Sequence, residues 1–186
     1  NISSVALSGD SVYNLDTSEL KLNIKPGEQT TFKVNLLSQQ TGIFKGTVSV
    51  NSNDPDSPTV LVSIISAVSL NGIQQNTVPS SGAGYIIPAS ALAFGAYGSR
   101  WVTDLKINNS SNSSSTFMIF YLPTQNNNTT ALSADFVLQA SQTLSIPNIL
   151  KVLFGLSEGV GSLLVLPLDD SSLLITSRTY NLTTQG

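Results

Sequence analysis

The sequence predicts an all-β protein built from two β-sandwich domains, with one short helix in the second. Three observations carry this. The run Gly46 to Ile64 reads as strand, polar turn, strand: Val48 and Val50 alternate with Thr47 and Ser49, and Val60, Val62 and Ile64 alternate with Thr59 and Ser63. Period-two alternation is the signature of a strand with one buried face. Short runs of this kind recur along the chain, separated by Gly, Pro, Asn, Asp and Ser, at the spacing of about 8 to 12 residues expected of a sandwich. Finally, 40% of the residues are hydrophobic but only 10% are charged, against about 25% in ordinary soluble domains. The polarity is carried by Ser, Thr, Asn and Gln instead, as is common in secreted β-proteins.

The same composition excludes function classes. The net charge is −3, and the 8 Lys and Arg are scattered, so the basic clusters that neutralise nucleic-acid phosphates are missing. Without Cys there is no disulfide framework or thiolate metal site, and without His the usual general base and zinc ligand are lost. No lysine lies in a Ser-x-x-Lys context, and Asp169-Asp170, as neighbours, suit a turn rather than a pair of catalytic carboxylates. No enzyme activity and no cofactor are therefore expected. No apolar run reaches the roughly 18 residues of a membrane helix. Asn1-Ile2-Ser3-Ser4 lacks the basic start and apolar run of a signal peptide, so the chain reads as a processed or excised piece of a longer protein.

The first domain is assigned to residues 1–70. Strands are expected at Val5–Leu7, Leu20–Ile24, Phe32–Leu36, Phe44–Val50 and Thr59–Ile64, with turns at Ser8-Gly9-Asp10 and Lys25-Pro26-Gly27-Glu28. The stretches IKPGEQTTFKVNL and TGIFKGTVSVNSNDPDSPTVLVSI resemble the ASH-type immunoglobulin-like domain, a relative of the major sperm protein fold. The resemblance implies an immunoglobulin-like sandwich whose first one or two strands would precede Asn1, leaving an edge to be covered by other sequence or another chain. Asn51, Asn53, Asp54 and Asp56 offer alternating oxygen ligands for a calcium ion. No third carboxylate or downstream Glu completes a cage, and the preferred reading is a turn with Asx hydrogen bonds.

Residues 71–84, rich in Gly, Ser, Gln and Asn, read as a linker. The second module, 85–186, shows strand patterns at Tyr85–Pro88, Trp101–Ile107, Phe117–Leu122, Phe136–Leu138, Thr143–Ile146, Leu163–Leu166 and Leu173–Tyr180. Phe117–Leu122 is apolar on both faces and is expected at the centre of the sheet. Pro147 to Gly155 is the one expected helix, with proline in its first turn and glycine at its exit. YIIPASALAFGAYGSRWVTDLKINNSS and ITSRTYNLTTQG resemble a bacterial extracellular β-sandwich module with no assigned activity, whose relatives continue past the last glycine. The Asn-x-Ser/Thr triplets, at Asn108, Asn109, Asn112, Asn128 and Asn181 among others, are read as a product of composition.

Arg100, Asp104 and Arg178 stand out in so charge-poor a chain. Asp104 is expected to bond Arg178 across neighbouring strands, with Tyr180 beside them. A ligand site would use Tyr97, Trp101 and Tyr180 as platforms and Arg100, Asp104 and Arg178 as polar clamps. The structural alternative, an ion pair beside a core tryptophan, is preferred because Trp101 shares its face with Leu105 and Ile107. Two functions follow: structural or adhesive modules of a larger bacterial secreted or surface protein, the periplasm included, with a protein partner; or a carbohydrate-binding region of a secreted enzyme, with Tyr85, Tyr97, Trp101 and Tyr180 stacking on sugars. Docking through an open sheet edge, as in β-strand addition, is a third.

Overall fold

The structure, a computed structural model, describes residues 1–80 and 83–182. It is all-β and forms two compact units: Asn1–Gln39 with Phe44–Ser66, and Gln40–Ile43 with the chain from Ala67 onward.

The first unit contains β1 (Ile2–Gly9), β2 (Tyr13–Asp16), β3 (Lys33–Leu36), most of β4 (Gly42–Ser52) and most of β5 (Thr59–Val68). β1, β4 and β5 form one sheet in that order, and β2 pairs with β3 as a separate ribbon. The Gly46 backbone lets the Tyr13 ring lie flat against β4: a Cβ there would stand 3.1 Å from the ring, and the Tyr13 hydroxyl donates to the Phe44 carbonyl at 2.9 Å. Tyr13 and Val48 are this unit's buried large side chains.

Several expectations change here. Leu20–Ile24 alternates in sequence but is not a strand; Leu22 is exposed, and the Ile2 N–H of β1 that donates to the Leu22 carbonyl at 2.8 Å is a single bond rather than a ladder. Tyr13–Asp16, not among the expected strands although Tyr13 and Leu15 alternate with Asn14 and Asp16, does form one. The β4–β5 hairpin is present, yet β5 does not bury one face: Val60, Leu61 and Val62 are all exposed. It ends its sheet, with only β4 beside it.

The second unit is a β-sandwich of β6 (Gln74–Thr77), β7 (Tyr85–Phe94), β8 (Arg100–Asn109), β9 (Ser115–Pro123), β10 (Thr130–Leu138), β11 (Thr143–Ile146), β12 (Gly159–Pro167) and β13 (Leu173–Asn181). The order is β11-β8-β7-β12-β9-β10-β6, with β13 on the other edge of β8. β9 is central, as its two apolar faces require. The stretch expected to be a linker carries β6, whose residues Gln74–Thr77 pair with Ser133–Thr130 of β10.

β7 is the strand that turns the sheet over. Tyr85–Leu92 pairs with β12, and Leu92–Phe94 pairs with β8. A bulge at Pro88 and Ala89, which together oppose Ser162 of β12, makes the bend, at the kind of position where a strand tolerates a residue without an N–H. Hydroxyls satisfy the backbone groups that the bulge frees. Thr103 accepts the Ala91 N–H at 2.8 Å, Thr179 donates to the Ala89 carbonyl at 3.3 Å, and Ser162 donates to the Pro88 carbonyl at 3.0 Å. Large apolar side chains from β8 to β12 fill one core, with Phe117 stacked on Phe136 at 5.9 Å.

The helix is shorter than expected. α1 (Ile149–Val152) is a single turn, and Pro147 precedes it, because Asn148 adopts left-handed angles (φ 43°, ψ 59°) and breaks the helical path. Ile149 and Leu150 are fully buried, so packing rather than propensity holds this turn.

Candidate ligand-binding face at the β7–β8 hairpin

Phe94 and Arg100 close the β7–β8 hairpin as register partners. Between them, Ala96–Gly98 forms a 3-10 turn in which Tyr97 is left-handed (φ 57°, ψ 34°) and fully exposed. A non-glycine residue in this conformation is held at a cost of order 1 kcal/mol or more. Gly95 makes the turn possible: a Cβ there would sit 2.9 Å from the Trp101 indole nitrogen. Arg100 is fixed through its backbone, its N–H donating to the Asn181 side chain at 2.9 Å and its carbonyl accepting the Leu182 N–H at 2.7 Å.

Arg178 lies directly opposite Asp104, and Tyr180 opposite Val102, along β13 and β8. Cross-strand partners share a face and neighbours alternate, so Arg100, Asp104, Arg178 and Tyr180 belong to one face. The expected neighbours are therefore brought together, but the expected ion pair is not made. Among the described residues, the ion pair within 4 Å is Lys33–Glu19. Arg178 instead stacks over the Tyr180 ring at 4.2 Å, and Arg100 stacks over Phe94 at 5.4 Å. Asp104 accepts the Asn148 N–H at 2.9 Å and the Tyr180 hydroxyl at 3.4 Å. Burial first, and then the Asp104 charge, push the Tyr180 phenol above its ordinary range.

Trp101 differs from both readings. It shares the Leu105 phase, as its spacing requires, but it is 43% exposed at the end of the strand and is not a core tryptophan. Its phase also puts it on the opposite face from Tyr180, so the two rings cannot form a single platform. Tyr85 lies away from the hairpin, in register with Val165 of β12. Phe94 is the residue that sequence reasoning missed. It is 68% exposed, and its signal was its place just before Gly95, symmetrical with Arg100 across the turn.

Several oxygens of the candidate calcium loop are taken up by turn hydrogen bonds. Asp54 Oδ1 accepts the N–H groups of Asp56 and Ser57 at 2.9 and 3.3 Å, and Asn51 Oδ1 accepts the Thr59 hydroxyl at 2.7 Å. Asn53 is tied through its N–H to the Asn1 carbonyl at 3.0 Å. Among the described residues no group of acidic side chains converges as a metal site.

Both arginines of the chain thus lie on one face, each resting on an aromatic ring and, among the described residues, neither paired with a carboxylate. Comparison of the chain with protein families, with curated proteins and with solved structures finds no match.

Proposed function

We propose that this chain is a non-enzymatic interaction segment of a larger bacterial secreted or surface protein, adhesive in role, and that its second unit holds its partner through the β7–β8 hairpin. One observation carries the reading: Arg100 and Arg178, each stacked on a ring, share one face, and the fully exposed, left-handed Tyr97 stands in the turn beside Arg100. Strain at an exposed aromatic residue, with nothing packed on it, favours a contact made by a partner. The ASH-type relationship of residues 1–69 belongs to the same proposal. It is supported by the Lys25–Glu28 turn, with Gly27 at φ 84°, and by the Asx-bonded turn between β4 and β5.

A second reading, carbohydrate binding, is favoured by the exposure of Phe94, Tyr97 and Trp101, since sugars stack on open rings. One experiment addresses both. The intact chain is screened against neutral and acidic polysaccharides and against immobilised extracellular-matrix proteins, with Tyr97→Ala and Arg100→Ala alongside. A protein partner lost in both variants supports the adhesive reading, and a glycan lost in both supports the second. Binding that survives both substitutions removes the hairpin from either.

A further inference from the structure

We propose that Asn71-Gly72 is a self-modification site, and that its conversion to aspartate or isoaspartate unfastens β6 from β10. It is the one Asn-Gly pair in the sequence. Asn71 and Gly72 are exposed, in the bend that leads into β6. Gly72 has φ +73°, and no atom lies within 4 Å of where a Cβ would stand. Among the described residues its peptide N–H has no hydrogen-bond acceptor. These are the conditions in which a backbone nitrogen can reach the side-chain amide before it: no Cβ obstructs the approach, and no ladder bond has to break first.

The chemistry needs only water. The Gly72 nitrogen bonds to Asn71 Cγ and gives up its proton, while the Cγ–Nδ2 bond breaks and ammonia leaves. Water then opens the resulting five-membered ring. Breaking the new N–Cγ bond gives aspartate; breaking the original peptide bond gives isoaspartate, with the main chain rerouted through Cγ. In either case an amide has become a carboxylate.

Asp135 gives this change a structural consequence. Its Oδ2 accepts the Asn71 side-chain amide at 2.5 Å and its Oδ1 accepts the Asn71 backbone N–H at 3.1 Å. Its carbonyl accepts the Leu70 N–H at 3.0 Å, and the Asn71 carbonyl accepts the Gln74 side-chain amide at 2.8 Å. Asn71 is therefore the clasp that fixes the start of β6 against β10. After conversion, a carboxylate faces a carboxylate where a donor faced an acceptor, and the two cannot both stay charged without repulsion. β6 has four residues and one neighbour among the described strands; beyond its short ladder it is held by the Asn76 amide, which donates to the Ser133 hydroxyl at 2.9 Å, and by the Val78 N–H, which donates to the Thr129 carbonyl at 3.0 Å, so the clasp is a large share of what retains it.

The test uses the intact chain, held at mildly alkaline pH and physiological temperature and followed by peptide mapping. The expected result is a mass gain equal to OH replacing NH2 at residue 71, with Asp and isoAsp both present, faster than at any other asparagine and absent in Asn71→Gln. Asn71→Asp is then compared with the wild type by hydrogen exchange. The amides of Asn76 and Val78, which face β10 while those of Gln75 and Thr77 point away from it, should exchange about 10-fold faster or more, while the ladder amides of β9 and β12 stay unchanged. The converted wild-type fraction, separated by ion exchange, should behave in the same way. A folded protein whose Asn71 stays intact while the urea-unfolded chain converts would overturn the modification site. Unchanged protection of β6 in Asn71→Asp and in the converted fraction would overturn the release.

Discussion

Asp104 and Arg178 stand opposite each other on β8 and β13 and do not pair. Each is engaged elsewhere: Asp104 by the Asn148 N–H and the Tyr180 hydroxyl, Arg178 by the Tyr180 ring. The two charges therefore make separable contributions. Asp104→Ala deprives a half-buried N–H of its acceptor and should lower stability by about 1–3 kcal/mol. Arg178→Ala removes one exposed cation–ring contact and should cost about 0.5–1 kcal/mol. Urea unfolding of both variants checks the order. An equal loss in the two would mean that they act as an ion pair after all.

Tyr97 allows binding and stability to be separated. Tyr97→Gly removes the left-handed penalty of about 1–2 kcal/mol and adds chain entropy to the unfolded state worth about 0.5–1 kcal/mol. The melting temperature should therefore hold or rise slightly while partner binding falls. A clear loss of stability would show that the ring packs on something.

Thr103 is fully buried at the bend of β7, where its hydroxyl accepts the Ala91 N–H and lies 2.7 Å from the Thr179 hydroxyl. Thr103→Val keeps the shape and orphans a half-buried donor, for a loss of about 1–3 kcal/mol. Thr103→Ser, which keeps the oxygen, should lose less. Chemical denaturation of the pair isolates the hydrogen bond from the methyl group.

Gly161 sits where β12 passes closest to β9. A Cβ there would clash with the Leu122 carbonyl and come within 2.9 Å of Pro123 Cα. These are backbone atoms in a paired ladder and cannot swing aside. Gly161→Ala should cost about 1–3 kcal/mol or more. Gly27→Ala and Gly72→Ala meet no neighbour and act only through their positive φ, so thermal melts should rank Gly161→Ala as the most damaging of the three.

Stability should fall at both ends of the pH scale. The Ser171 hydroxyl, and then the Thr116 N–H at 2.6 Å, hold Asp169 below the ordinary carboxylate value of 3.8. A lowered folded pKa stabilises above the unfolded value and is lost as pH drops through the folded one. Burial raises Tyr121 and Tyr180 above 10.0, so their contribution is whole below that value and disappears as pH climbs through the folded one. Denaturant midpoints against pH should show a plateau between these limits, with a shallower acid limb in Asp169→Asn.

Much of the second unit was legible because its strands are half-buried and alternate: Leu105 and Ile107, Phe117 and Ile119, Leu163 and Val165 all point inward as their spacing requires. β6 was hidden because Gln74–Thr77 has no apolar phase; its place comes from ladder bonds and the Asn71 clasp. Leu20–Ile24 failed in the opposite sense, as a pattern tied to β1 by one backbone bond and no ladder. At the candidate face, the opposition of Asp104 and Arg178 could be read from the sequence. The Asn148 partner of Asp104 and the Phe94 partner of Arg100 could not, because they arrive through a broken helix start and a tight turn, neither of which leaves a periodic trace.

β8 borders β7 and β11 on one edge and β13 along the whole of the other. That second edge closes only when Leu173–Asn181 arrives, after β9 to β12 have been made. During synthesis β8 must therefore wait, half-paired, for β13 to leave the ribosome. Such distant pairing slows folding and leaves an open edge to wrong partners in the meantime. For this unit, the yield of folded protein should be governed by how long that edge is left uncovered rather than by the stability of the finished sandwich.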